Sequence, residues 1–234
     1  MESSRTIFRR IAGASALLAV LVGGLSGVLF LAAGGFGPDA LLDPMRLLES
    51  GSSRAQLLRW GALTDMLGYY LLLIPLFVCV GSELRPRGGP IVDLLTVGGV
   101  LYAAIGATAA VVLAEAGPLL LRAYDQADPA ARDGIALAFR VLTDAVYKGA
   151  WQTLEVLPLA VWAAGTGVLL WGRRRLLGGI GITMGVLGVL SAVVRMTQVE
   201  VGTGAGVGVA ALVGGLFAAY IVWLALLLLR QAPL

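Results

Sequence analysis

Six apolar runs, at residues 11–36, 57–82, 91–121, 144–171, 176–196 and 207–229, dominate this sequence. Each is long enough for the ~20 residues that a helix needs to cross the ~30 Å hydrocarbon layer of a bilayer. Lipid offers no hydrogen-bond partners, so each run has to satisfy its backbone internally, and a helix does so. The expected fold class is therefore all-α. We expect a polytopic membrane bundle of about six transmembrane helices, forming one membrane domain over residues 1–234. Composition agrees, with 59% hydrophobic and 13% charged residues and a mean hydropathy of +0.91. Soluble domains carry roughly 45–50% apolar and 25% charged residues.

Histidine is absent and Cys79 is the only cysteine. These two facts remove bis-histidine haem, H-E-x-x-H zinc sites, Ser–His dyads and intrachain disulfides. No nucleophile–base pair and no metal-ligand set is legible. The expectation is no catalytic residue, no metal and no cofactor, with an enzyme the third choice behind the two function classes given below. The G-T-G-A-G-V-G run at 202–208 follows no strand and is not a phosphate loop. The net charge of +3 needs no nucleic-acid partner, because topology accounts for the arginines.

Those arginines are unevenly distributed. One set of connections holds Arg5, Arg9, Arg10, Arg85, Arg87, Arg173, Arg174, Arg175 and Arg230; the other holds Arg46, Arg54 and Arg132. By the positive-inside bias, both termini are cytoplasmic and residues 37–56 and 123–133 face outward, in a bacterial inner membrane. Within 39–49, Leu41, Leu42, Met45 and Leu48 recur at helical spacing, which predicts a short amphipathic helix on the membrane surface. Pro75 predicts a kink in the second span, and Pro158 is the one strong breaker between Ala130 and Trp171. Gly23-x-x-x-Gly27 and Gly181-x-x-x-Gly185 offer small-residue packing faces.

The most polar stretch inside the apolar runs is R-V-L-T-D-A-V-Y-K-G-A-W-Q-T-L-E-V-L-P at 140–158. At about 100° per residue, Arg140, Asp144, Tyr147, Lys148, Trp151 and Glu155 share roughly a third of the helix circumference. A charge at the bilayer centre costs at least ~2.5–3.5 kcal/mol, so such groups pair with one another or line a water-filled vestibule. The candidate ligand-binding set is Asp65, Tyr69, Glu115, Arg140, Asp144, Lys148, Trp151, Glu155 and Arg195. Arg59, Arg122, Arg140, Lys148 and Arg195 balance Asp65, Glu115, Asp144, Glu155 and Glu200, which suits a small neutral or zwitterionic ligand. Lys148, the only lysine, is the one basic group of the set that can lose its proton readily.

Two function classes stay open. One is a small-molecule or lipid binder or transporter with an outward-facing polar vestibule. The other is a non-catalytic structural or accessory subunit of a membrane complex, whose charges pair internally and whose glycine faces pack on a partner subunit or a second copy. The lipid bilayer is a partner in both.

R-I-A-G at 10–13, L-R-W-G-A-L-T-D-M-L at 58–67 and the long, half-polar fourth helix together resemble an uncharacterised family of bacterial six-helix integral-membrane proteins, a domain of unknown function. The resemblance implies the six-helix fold, a membrane location and an aspartate early in the second helix, here Asp65. The family's fourth helix is richer in aromatic residues and histidine. Lys148-Gly149 stands in that region here, and the resemblance implies no activity or ligand role.

The topology has a direct check. In a Cys79→Ser background, Ser52→Cys should react with a membrane-impermeant thiol reagent in intact cells. Labelling only after the cells are opened would reverse the orientation.

Overall fold

The computed structural model describes residues 3–34, 45–49, 51–197 and 203–234, with the backbone alone at 203–211. Among the described residues there is no strand. The helices are α1 (Ser4–Ala33), a short α2 (Met45–Glu49), α3 (Ser52–Gly88), α4 (Pro90–Gln126), α5 (Pro129–Trp171), α6 (Arg175–Met196) and α7 (Thr203–Leu229). Six of them, all but α2, are long and apolar enough to cross a membrane, α7 through Leu212–Leu229 alone. The protein is an all-α, multi-pass membrane bundle.

Local signals set the helix ends. Ser3 caps α1 by accepting from the Thr6 amide, and Asp128 caps α5 by accepting from the Ala131 amide at 2.9 Å, with Pro129 following as the first helical residue. Between α3 and α4 the chain reverses at Gly89, whose φ of 55° is one that glycine adopts without steric cost. Of the surface helix expected over 39–49, residues 45–49 are helical, with Leu47 and Leu48 buried against the bundle. Residues 39–44 lie outside the described residues, as does Glu200.

Lipid supplies little hydrophobic drive between helices, so they associate by close packing. The tightest example is the hairpin of α5 and α6. A Cβ built on Gly178, Gly181 or Gly185 would lie 2.6–2.7 Å from the carbonyl oxygens of Gly167, Ala163 and Ala160. On the other side of the bundle, α1 packs on α3 and α7, and Gly68 rests on the backbone of Gly23. Gly27, the second residue of the Gly23-x-x-x-Gly27 pattern, faces open space. The long α4 runs between α3 and α5 and touches both.

Two apolar cores result. One gathers Phe77, Trp162, Tyr220 and Leu224, and the other gathers Phe30, Leu58, Leu113 and Phe139. Trp151 packs against both, and a polar cluster lies beside it.

Two helices depart from α geometry. In α3 the turns widen to π form over Met66–Tyr70 and tighten to 3-10 form over Leu71–Leu73, just ahead of Pro75. In α5 a π segment covers Asp144–Leu154, just ahead of Pro158. A proline lacks the amide that would bond four residues back, and its ring crowds that carbonyl. Rewinding the preceding turns accommodates both problems, and the Glu155 amide bonds Ala150, five residues back, at 2.9 Å.

Gly181→Val should overpack the α5–α6 hairpin and cost about 1–3 kcal/mol, read as a lower melting temperature in detergent. Gly27→Val, which meets no neighbour, should leave the melting temperature unchanged.

Candidate functional site

Tyr70 lies midway between Ser52 and Gly88 in α3, and its hydroxyl donates to Glu155 Oε1 at 3.2 Å. Glu155 comes from α5, at the end of the π segment, and is only 8% exposed. Asp65 is 9% exposed and immediately precedes the π turn of α3. Ser26 of α1 donates to Asp65 Oδ1 at 3.3 Å and to the Gly61 carbonyl at 3.0 Å. Asp65 and Tyr70 stand at the two ends of the π turn of α3. The other oxygens, Asp65 Oδ2 and Glu155 Oε2, have no hydrogen-bond partner. No cation forms an ion pair with either carboxyl among the described residues.

Gly106 of α4 makes the meeting possible. A methyl group there would overlap both the Tyr70 ring and Glu155 Oε2. The Gly106 carbonyl accepts from the Trp151 indole at 3.3 Å. Aromatic rings close the cluster. Tyr102 lies 5.2 Å from Tyr70 between centroids, Tyr69 stacks on Phe217, and Tyr147 meets Trp151 edge-on at 4.9 Å. Two buried carboxyls, a phenol that donates to one of them and a wall of aromatic rings form an acidic interior site.

The structure divides the candidate set. Asp65 and Glu155 are both buried inside the bundle, and Tyr69 and Trp151 are half-buried against its core. Asp144 and Lys148 pair with each other at 2.8 Å, with side chains 38% and 62% exposed. Glu115 pairs with Arg59 at 3.0 Å on the exterior of α4 and α3. Arg140 and Arg195 are exposed. The stripe from Arg140 to Glu155 therefore does not stay on one face. Bonds to the fifth residue back put more residues into each turn, so the 100° phase slips through the π segment. Glu155 is carried inward while Lys148 stays out.

Sequence reading missed Tyr70, Ser26 and Gly106. Tyr69 falls four residues after Asp65, the α-helical neighbour, but across a π turn the neighbour is the fifth residue, Tyr70. Pro75 and Pro158, both following an acidic residue within the same helix, were the available signal. Comparison with protein-family models, with curated proteins and with solved structures gave no match.

Tyr70→Phe should cost about 1–3 kcal/mol, because it leaves the buried Glu155 carboxyl without its donor. Tyr69→Phe should cost little, and equal melting temperatures for the two variants would remove the role assigned to the Tyr70 hydroxyl. Lys148→Met breaks an exposed pair and should change stability by less than about 1 kcal/mol, which thermal unfolding in detergent can measure.

Proposed function

We propose that the protein is a membrane carrier whose Asp65–Tyr70–Glu155 site takes up and releases a positive charge, either a proton or a small monovalent cation. One observation supports this above the others. Two carboxyls from different spans are nine-tenths buried, one held by the Tyr70 phenol and the other by the Ser26 hydroxyl, and each keeps an oxygen with no partner. An ionised carboxylate in such a place is costly without a compensating charge. A proton or cation supplies that charge.

The site's position is in keeping with the reading. It lies midway along helices whose α geometry is interrupted, and carriers commonly bind their ions near the bilayer midplane where helices are broken. The exterior pairs Arg59–Glu115 and Lys148–Asp144 neutralise themselves. What remains inside is acidic, so a cationic species fits better than the net-neutral ligand expected from the overall charge balance. The nine-to-three arginine bias supports cytoplasmic termini in a bacterial inner membrane. The short motifs at 10–13 and 58–67 support kinship with the bacterial six-helix family.

A second reading, an accessory subunit, draws on a different feature. Gly24 and Gly27 on α1 and Gly214 and Gly215 on α7 face open space, where a partner helix could approach closely.

Electrophysiology on a solid-supported membrane tests the carrier reading without a known substrate. Reconstituted protein should give a transient current on a pH jump if the species is the proton, or on a sodium jump if it is a metal cation. Asp65→Asn/Glu155→Gln should reduce that current at least ~10-fold, the size of effect expected when a site loses both charges. A wild type silent in both jumps, or a double variant equal to it, would defeat the reading.

A further inference from the structure

A second site stands at the arginine-rich end of the bundle, independent of the interior carboxyls. The ends of α1, α3 and α5 and the segment after α7 enclose a polar pocket of about 500 Å³. Arg5, Arg9, Arg87 and Arg173 line it, and Glu83 is the one acidic residue among its lining.

Glu83 is already used twice. Its Oε1 meets Arg5 and its Oε2 meets Arg9, both at 2.8 Å. Arg9 is 8% exposed; its Nη2 also donates to the Ala232 carbonyl, while its Nε has no partner. Arg87 donates to the Leu234 main-chain oxygen at 2.7 Å and Arg174 to the Pro233 carbonyl at 3.1 Å. Arg9 of α1, Arg87 of α3 and Arg174 of the turn before α6 thus hold three consecutive main-chain oxygens and fix residues 232–234 as a wall. Arg87 takes the Leu234 main-chain oxygen as its partner, whereas Arg173, lining the same pocket, forms no ion pair among the described residues.

The positive-inside bias explains arginines at this end, but not this arrangement. A topological arginine needs only water and headgroups around it. Here one guanidinium is buried with an orphan N–H, and Arg173 opens on the same concavity without an ion pair among the described residues. Each guanidinium carries five N–H donors in a planar fork that matches phosphate oxygens, so Arg87 can keep its carbonyl bond and still bind an anion.

We propose that this pocket binds a phosphate group, held by Arg87 and Arg173 above Arg9, and carried either by an anionic phospholipid or by a phosphate-bearing solute. The full chain, purified in detergent, would be titrated with sn-glycerol 3-phosphate and its melting temperature followed. In parallel it would be placed in nanodiscs of phosphatidylcholine with and without phosphatidylglycerol. Stabilisation by phosphatidylglycerol alone identifies a lipid; stabilisation by glycerol phosphate as well identifies a solute. In either case Arg87→Gln/Arg173→Gln should weaken the effect at least ~10-fold in half-saturating concentration, as expected for losing two charge-assisted contacts. Arg85→Gln, which alters an exposed arginine paired with Asp93, should retain it. Should the double variant fold poorly, Arg173→Gln alone keeps the test valid, because that exposed side chain makes no ion pair among the described residues. No stabilisation by either probe, or the same stabilisation in the arginine variants, overturns the proposal.

Discussion

At Gly106 a missing side chain lets three spans converge. The Tyr70 ring from α3 and the Glu155 carboxyl from α5 fill the space that a methyl group on α4 would need. The Gly106 carbonyl, exposed by the same absence, anchors the Trp151 indole. Without that close approach, Tyr70 could not reach Glu155 and the two apolar cores would lack the ring that joins them. In lipid this matters more than in water, because packing rather than apolar burial holds helices together. The α5–α6 hairpin follows the same rule, with glycines placed against carbonyls along the contact.

The interrupted helices give the interior its chemistry. A regular α-helix keeps its carbonyls and amides occupied, and its side chains repeat on a fixed phase. Ahead of Pro75 and Pro158 that phase is broken, and the carboxyls flank the breaks. Turns of π form recur at functional sites, where they re-aim side chains and loosen the local ladder. Irregular backbone at membrane depth is tolerated where protein surrounds it. The α3 segment meets this condition, with Gly68 and Tyr70 buried, whereas in the α5 segment only Val146 is buried and Lys148 and Leu154 are exposed.

The spans were legible in the sequence because the bilayer imposes a length that apolar runs either meet or miss. Asp65 was legible as an inward-facing residue because a lone carboxyl in such a run has few other places to go, and the structure puts it beside Gly61, Gly68 and Ser26. The assembly of the site was not legible. A phase of 100° per residue grouped Lys148 with Glu155 and selected Tyr69 over Tyr70. Both choices assume unbroken α geometry between Asp65 and Tyr70 and between Asp144 and Glu155. The prolines were visible, but the number of residues rewound ahead of each depends on the packing partner, and Gly106 is distant in sequence from both. Whether a charge pairs outside or turns inward depends on the same rewinding, which is how Lys148 ended on the exterior with Asp144.

The two polar sites carry opposite charge. The interior carboxyls make the middle of the bundle attractive to a cation, while the pocket at the arginine-rich end carries more guanidinium than carboxylate charge. Charges in clefts with low-dielectric walls project their potential further than in water. A cation approaching from the arginine-rich end therefore meets a repulsive collar before it meets Asp65 or Glu155. From the opposite end it passes Glu115, Asp125, Asp128 and Asp133 near the close of α4 and the start of α5, against Arg59, Arg122 and Arg132 there. That end is the less repulsive of the two toward a cation.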